Sequence, residues 1–146
     1  MLFYLVNQIL FHKTNCHNNK IIENIINNFL IKKNSFIFES VEKRKIRGRY
    51  TIIGADPDKI WEFNKQRIHL IENNKKKIIN GSPYPFLKKL IENFNFPLPK
   101  NLPPLCSLLV GYFSYDIIRY IEKIPDKCTD DLKIPDIRLM RPKTII

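Results

Sequence analysis

Apolar residues recur at helical spacing in two parts of the chain, each flanked by polar or turn-forming residues. Residues 20–33 place isoleucine, phenylalanine and leucine on one side of a helical repeat, which predicts an amphipathic helix ending near Lys32 and Lys33. A second helical repeat starts at residues 81–85 and continues through Phe94, ahead of Pro97. Each helix therefore has one apolar face that needs a sheet to cover it.

Shorter runs of large apolar residues predict strands. Four lie at residues 35–39, 50–54, 59–63 and 67–72, and the last two flank Asn64-Lys65-Gln66 as a hairpin. An apolar run at 106–113 has strand length, a short helix leaves it near Asp116, and a final strand begins at Ile137. That strand is still unfinished at Ile146, so we expect the polypeptide to continue beyond this point.

Turns and loops are predicted between these elements. Asp56-Pro57-Asp58 has turn chemistry, and the lysine run 75–77 is also interpreted as a turn because asparagines flank it. Loops are expected at residues 97–104 and 125–131. The order of elements lacks a regular alternation of strand and helix, which favours an α+β fold with mainly antiparallel pairing. A length of 146 residues suits a single domain, 1–146.

The composition is that of a folded protein with an excess of positive charge. Hydrophobic residues make up 44% of the chain, which is too rich for a disordered sequence. The net charge of +11 would suit a nucleic-acid partner. However, Lys, Asn and Ile together form about two-fifths of the sequence, as expected from an A/T-rich genome. We therefore expect lysines on solvated surfaces and no nucleic-acid partner.

No set of residues has the spacing of a catalytic or metal site. The three cysteines (Cys16, Cys106, Cys128) and three histidines (His12, His17, His69) are scattered, and Asp130-Asp131 lies in a predicted exposed loop. We predict no catalytic residue, metal or cofactor in this chain. The apolar residues 1–6 are too short for a signal peptide, and no window is long enough to span a membrane. A soluble, cytoplasmic protein is expected.

Three separated segments carry a family resemblance. They are Phe36-Ile-Phe-Glu-Ser-Val-Glu42 with Arg47-Gly-Arg-Tyr-Thr-Ile-Ile-Gly54, Val110-Gly-Tyr-Phe-Ser-Tyr-Asp-Ile-Ile-Arg119, and Leu132-Lys-Ile-Pro-Asp-Ile-Arg-Leu-Met-Arg-Pro142. Their order and spacing resemble the amino-terminal domain of anthranilate synthase component I, with Phe38 and Thr51 where the family usually has Leu and Ser. The resemblance covers residues 35–142, whereas residues 1–34 match only in general.

The resemblance implies one part of a larger enzyme. In that family, this domain shares a sandwich-like core with a chorismate-binding domain, which holds the magnesium carboxylates and the acid-base groups and is absent from this chain. The complete enzyme converts chorismate and ammonia into anthranilate and pyruvate, the first step of tryptophan biosynthesis. A separate glutamine amidotransferase subunit, component II, delivers the ammonia. The present chain alone is then expected to be inactive.

By resemblance, this domain also carries the tryptophan feedback site. The family's Glu-Ser pair maps onto Glu39 and Ser40, beside Phe38. An amino-acid ligand needs an acceptor for its ammonium, a donor for its carboxylate and an apolar wall. Glu39 and Ser40 would accept hydrogen bonds from the ammonium. Phe38 would line the indole, and Arg49 or Tyr50 would bind the carboxylate.

Other interpretations remain open at this stage. A sister enzyme with the same architecture, aminodeoxychorismate synthase component I of folate synthesis, is one alternative, and a stand-alone or degenerate binding module is another. Residues 110–119 are interpreted as architecture rather than chemistry. Arg138 and Arg141 are interpreted as surface charges, with contact to a second domain as the alternative.

Overall fold

The computed structural model describes residues 12–13, 19–39, 51–94, 98, 100, 102, 106–125 and 127–146. Two α-helices, one 3₁₀ helix and six strands lie in this part of the chain. In chain order they are α1 (Asn19–Leu30), β1 (Phe36–Glu39), β2 (Thr51–Asn64), β3 (Arg67–Glu72), β4 (Lys75–Ile79), α2 (Pro83–Phe94), β5 (Val110–Phe113), the 3₁₀ helix (Tyr115–Tyr120) and β6 (Ile137–Ile145).

The strands form one antiparallel sheet built around β2. Its order is β4-β3-β2-β6-β5, and β1 also pairs with β2. The end of β2 pairs with β3 and its start pairs with β1, whereas β6 follows β2 along both halves. The predicted α+β fold with antiparallel pairing is confirmed, and so are both α-helices, the β2–β3 hairpin and the final strand.

The predicted turn at Asp56-Pro57-Asp58 is wrong, because β2 runs through all three residues. The register between β2 and β6 shifts between Pro57 and Lys59, and Asp56 has a positive φ of 54°. This is a β-bulge, one of the few places in a sheet where proline is tolerated. The bulge lets a sequence with turn chemistry stay inside a long strand.

The lysine run is also not a turn. Lys75–Ile79 form the edge strand β4, and the turn before it consists of Asn73 and Asn74, with φ angles of 51° and 59°. Two successive positive φ angles are typical of the type I′ turn that joins paired strands, and asparagine tolerates them. Lysines on an edge strand also discourage pairing with another chain.

Two further predictions hold only in part. The strand predicted at 106–113 is limited to the four residues of β5, and the helix after it is a 3₁₀ helix.

The start of α2 suits a helix terminus. Pro83 occupies the first helical position, where its missing N–H costs nothing, and the Phe86 N–H donates to the Ser82 carbonyl at 3.2 Å.

The main core lies where α2 and the 3₁₀ helix pack on the part of the sheet that the second half of β2 forms with β3 and β6. Its buried residues come from β2, β3 and β6, and they are Trp61, Phe63, Ile68, Ile137 and Leu139. Phe86 of α2 contacts Phe63 with ring centroids 6.0 Å apart, and Tyr120 of the 3₁₀ helix packs beside this cluster. The first helix, α1, contacts β1 and β2 instead. Within the described ranges, no helix has the length and apolar character needed to cross a bilayer.

Candidate functional site

The candidate ligand residues lie at the end of β1. Phe38 pairs with Ile52, and Glu39 pairs with Thr51 at the start of β2. Both side chains are accessible, Phe38 being 53% exposed. The other predicted site residues, Ser40, Arg49 and Tyr50, lie outside the described residues. The structure thus places Phe38 and Glu39 in succession at an accessible strand end, with their side chains on opposite faces of the strand.

An aromatic contact holds β1 on the sheet. Phe36 pairs with Gly54 of β2, and its ring lies over that glycine. The Phe36 and Phe38 rings contact each other with centroids 5.1 Å apart and planes tilted by 43°. Because residues two apart on a strand share a face, these rings form one aromatic wall, whereas the Glu39 side chain points to the opposite face of the strand.

Polar contacts fix the turn between α1 and β1. Asn34 adopts a positive φ of 60°, and its side-chain oxygen accepts a hydrogen bond of 2.9 Å from Arg138 Nη2 on β6. Lys32 Nζ lies 2.8 Å from the Asp56 carboxylate of β2. The turn that leads into the candidate site is therefore attached to both central strands.

Arg138 and Arg141 are not solvated surface charges, so that interpretation is wrong. Arg138 Nε lies 3.3 Å from Glu62 Oε1, and the same carboxylate accepts from Lys76 Nζ at 2.9 Å. Burial raises the pKa of Glu62, but the hydrogen bonds and charges of Lys76 and Arg138 outweigh it, so this pKa lies below its usual value. Arg141 donates to both carboxylate oxygens of Asp58. Both arginines join β6 to β2.

Asp136 is a structural residue that the sequence reasoning did not single out. Its carboxylate accepts from the Tyr120 hydroxyl and from the Lys65 backbone N–H, each at 2.7 Å. Its own N–H donates to the Phe63 carbonyl at 2.8 Å. The sequence feature that could have identified Asp136 was its position in the Pro-Asp motif.

Asp116 pairs with Arg119 at 2.8 Å, which agrees with an architectural role for residues 110–119.

The opposite end of β2 carries an open groove with mixed charges. Its volume is about 450 Å³, and it is lined by the β2–β3 turn and the loop before β6, including Lys65, Arg67, Lys133, Asp130 and Asp136. The two carboxylates are engaged in hydrogen bonds to backbone N–H groups. None of the predicted site residues lines this groove.

The described residues hold no arrangement suited to a metal ion. No group of three or more His, Cys, Asp or Glu side chains converges in this part of the chain. His69 is half-buried and its Nδ1 has no hydrogen-bond partner, whereas His12 is exposed and His17 lies outside the described residues. Asp130 and Asp131 are both exposed, as predicted.

A second accessible aromatic surface lies at the opposite sheet edge from β4. Tyr112 and Phe113 of β5 are 38% and 51% exposed, and Tyr115 of the following 3₁₀ helix is 87% exposed. Clusters of exposed aromatic residues are typical of surfaces that contact another protein part. We refer to these three residues as the β5 surface.

Comparison with known proteins identifies relatives of this chain. No family model matches the chain. Proteins named anthranilate synthase component 1 are 34% identical over 119 residues in Cereibacter sphaeroides, 34% over 106 residues in Acetivibrio thermocellus, and 34% over 122 residues in Acinetobacter calcoaceticus. These matches cover 78%, 72% and 77% of this chain, but only 24%, 22% and 24% of the relatives.

The chain has an α+β fold with one antiparallel sheet and an accessible strand end. It belongs to the anthranilate synthase component 1 family and corresponds to the amino-terminal part of those proteins. The predicted resemblance is therefore confirmed. The chain spans about a quarter of the length of the relatives that it matches.

Proposed function

We propose that this chain is the tryptophan-sensing amino-terminal part of an anthranilate synthase component I. In this role it binds tryptophan at the end of β1 and regulates the synthesis of anthranilate and pyruvate from chorismate and ammonia. The chain itself does not perform the reaction. The observation that supports the proposal is that Phe38 and Glu39 lie exposed in succession at the end of β1, within the segment that bears the family motif.

The accessible groups at this strand end match the chemistry of a free amino acid. The Glu39 carboxylate suits an ammonium group, and charge-assisted hydrogen bonds of this type are among the stronger ones. The exposed Phe38 ring offers an aromatic surface for an indole. In the proposal, Ser40 also contacts the ammonium, and Arg49 or Tyr50 binds the carboxylate.

The β5 surface supports a contact with a second, chorismate-binding part of the protein. The aromatic side chains exposed on both faces of this edge strand and in the following 3₁₀ helix would be covered by such a part. The glutamine amidotransferase subunit is a further proposed partner, which supplies ammonia to the complete enzyme. The magnesium carboxylates implied by the family belong to the second part. The described residues of this chain hold no group of carboxylates that fits the ion.

Feedback requires only that tryptophan prefer one arrangement of the two parts. A ligand shifts the population of two states by its difference in affinity for them. Allosteric couplings of about 1–3 kcal/mol are typical and change binding by roughly 5- to 150-fold. The names of the relatives favour the tryptophan branch over the sister enzyme of folate synthesis.

The test exchanges amino-terminal parts between two proteins. The matching part of the Cereibacter sphaeroides relative is replaced by this chain, and anthranilate formation is followed by its fluorescence while tryptophan is titrated. We expect an active exchange protein that tryptophan inhibits. In parallel, equilibrium dialysis measures the binding of radiolabelled tryptophan to the 146-residue chain. An active exchange protein that tryptophan does not inhibit would contradict the proposal.

A further inference from the structure

Backbone pairing alone is a weak attachment for β1. The strand has four residues and, among the strands that the structure describes, pairs only with β2, and its last two residues are exposed. A short strand bonded to the sheet on one side depends on side-chain packing as well as on its few backbone hydrogen bonds. The position of Phe38 and Glu39 must therefore depend on other contacts of the strand.

The closest of these contacts is between Phe36 and Gly54. A Cβ added to Gly54 would lie 2.2 Å from Phe36 Cε1 and 2.3 Å from Phe36 Cζ, far inside van der Waals contact. Gly54 is buried and its φ is not positive, so its backbone conformation is open to any residue. The glycine is thus required by the ring that lies over it, and not by a turn or a strained backbone.

This contact extends directly to the candidate site. The Phe36 ring touches the Phe38 ring at a centroid distance of 5.1 Å, and Glu39 follows in the same strand. A displacement of Phe36 would move Phe38 with it, because both rings share one face of β1. It would also shift the pair between Glu39 and Thr51.

We propose that Phe36 and Gly54 are positioning residues for the tryptophan site. Phe36 fits into the space left by the missing Gly54 side chain, and this fixes the strand that carries Phe38 and Glu39 at its exposed end. Neither residue needs to touch tryptophan. This inference rests on the proposed function.

The experiment compares variants of the full chain. Gly54→Ala fills the space under the ring, and Phe36→Ala removes the ring. Gly81→Ala is the matched control, because Gly81 has a φ of +143° and open space around it, so its substitution strains the backbone far from β1. Tryptophan binding is measured by equilibrium dialysis, and amide hydrogen exchange is measured along β1. Trp61 fluorescence verifies that each variant is folded, since this buried residue is the only tryptophan.

We expect Gly54→Ala and Phe36→Ala each to weaken tryptophan binding at least tenfold and to speed exchange of the β1 amides, whereas Gly81→Ala leaves binding within about twofold. The double variant should bind like Phe36→Ala alone, because no ring remains to clash with the added methyl group. If Gly54→Ala fails to fold, Phe36→Ala and Phe36→Leu test the inference through the same two measurements, tryptophan binding and amide exchange along β1.

Two results would overturn the inference without touching the proposed function. One is a wild-type chain that binds tryptophan while the Phe36 and Gly54 variants bind equally well. The other is equal weakening in Gly81→Ala, which would reveal a general loss of stability. A folded wild-type chain that binds no tryptophan would instead overturn the proposed site, and this inference with it.

Discussion

Arg141 on β6 contacts both carboxylate oxygens of Asp58, which lies in the bulge of β2. The Nε–Oδ1 distance is 2.7 Å, and Nη2 contacts Oδ2. Both side chains are partly buried, with 28% and 32% of their surfaces exposed. The hydrogen bond from Arg141 and its charge outweigh burial and hold the pKa of Asp58 below its usual value. The pair joins residues that are 83 positions apart in the chain.

Asp58→Asn should destabilise the fold. The substitution keeps the shape of the side chain but leaves the Arg141 guanidinium partly buried without its counter-charge, which costs about 1–3 kcal/mol. Denaturant unfolding followed by Trp61 fluorescence measures the change. Asp131→Asn is the control, because Asp131 is exposed and its change should stay within about 0.5 kcal/mol. Equal stability of both variants would show that the Asp58 pair contributes nothing.

The lowered pKa of Asp58 should also make the protein less stable in acid. Its folded pKa is lower than the ordinary value of 3.8, so its contribution is present above that value and disappears as the pH falls through the folded pKa. Between about pH 6 and pH 3, the wild type should therefore lose more unfolding free energy than Asp58→Asn. Parallel acid profiles of the two proteins would exclude this role.

Tyr120 should make the protein less stable in alkali. Burial, with the hydrogen bond to Asp136, raises the pKa of Tyr120 well above its ordinary value of 10.0. A raised folded pKa gives stability that is complete below the unfolded value and is lost as the pH rises through the folded one. Unfolding free energy should thus fall above about pH 10, and less steeply in Tyr120→Phe. At neutral pH this variant should lose about 1 kcal/mol from the missing hydrogen bond.

Ser40→Phe and Glu39→Gln should relieve tryptophan inhibition in the exchange protein. The first substitution fills the proposed ammonium position and the second removes its counter-charge. Inhibition should weaken at least about tenfold, equivalent to about 1.4 kcal/mol, while uninhibited anthranilate formation stays close to that of the parent. Glu92→Gln on the exposed side of α2 controls for the loss of one negative charge. Unchanged inhibition constants in both variants would place the tryptophan site elsewhere.

The β3–β4 turn offers a test of local backbone geometry. Asn74 has a φ of 59°, which glycine adopts readily and β-branched residues avoid. Asn74→Gly should be neutral or stabilising by up to about 1 kcal/mol, and Asn74→Val should destabilise by about 1–2 kcal/mol. Thermal unfolding of the two variants measures the difference. Equal melting temperatures would mean that the turn does not need a positive φ.

Local patterns predicted the elements well and failed where distant partners decide the structure. Both helices follow from apolar spacing, because their faces are set by residues three and four positions apart. The bulge at Asp58 depends on Arg141, and the strand formed by the lysines depends on β3 and on Glu62. No local pattern contains those contacts.

The candidate site shows the same division. The place of Glu39 at a strand end follows from the sequence around it and is confirmed, whereas its proposed ligand remains a prediction. The requirement for Gly54 could not be predicted, since glycine within a strand pattern has several explanations. Only the position of the Phe36 ring distinguishes them. Similarly, the role of Asp136 depends on Tyr120 and Lys65, which lie in separate elements.

The pairing of β2 with β6 has a consequence for how the protein forms during synthesis. Phe63 pairs with Ile137 and Gly54 with Ile145, so the central strand meets one of its neighbours only after residues 137–145 have been made. Contacts this distant in sequence slow folding. Until residues 137–145 emerge from the ribosome, one whole edge of β2 is open, and with it a strand that carries Trp61 and Phe63. An unpaired apolar edge of this kind favours aggregation of a partly synthesised chain, and pairing with β6 removes that edge.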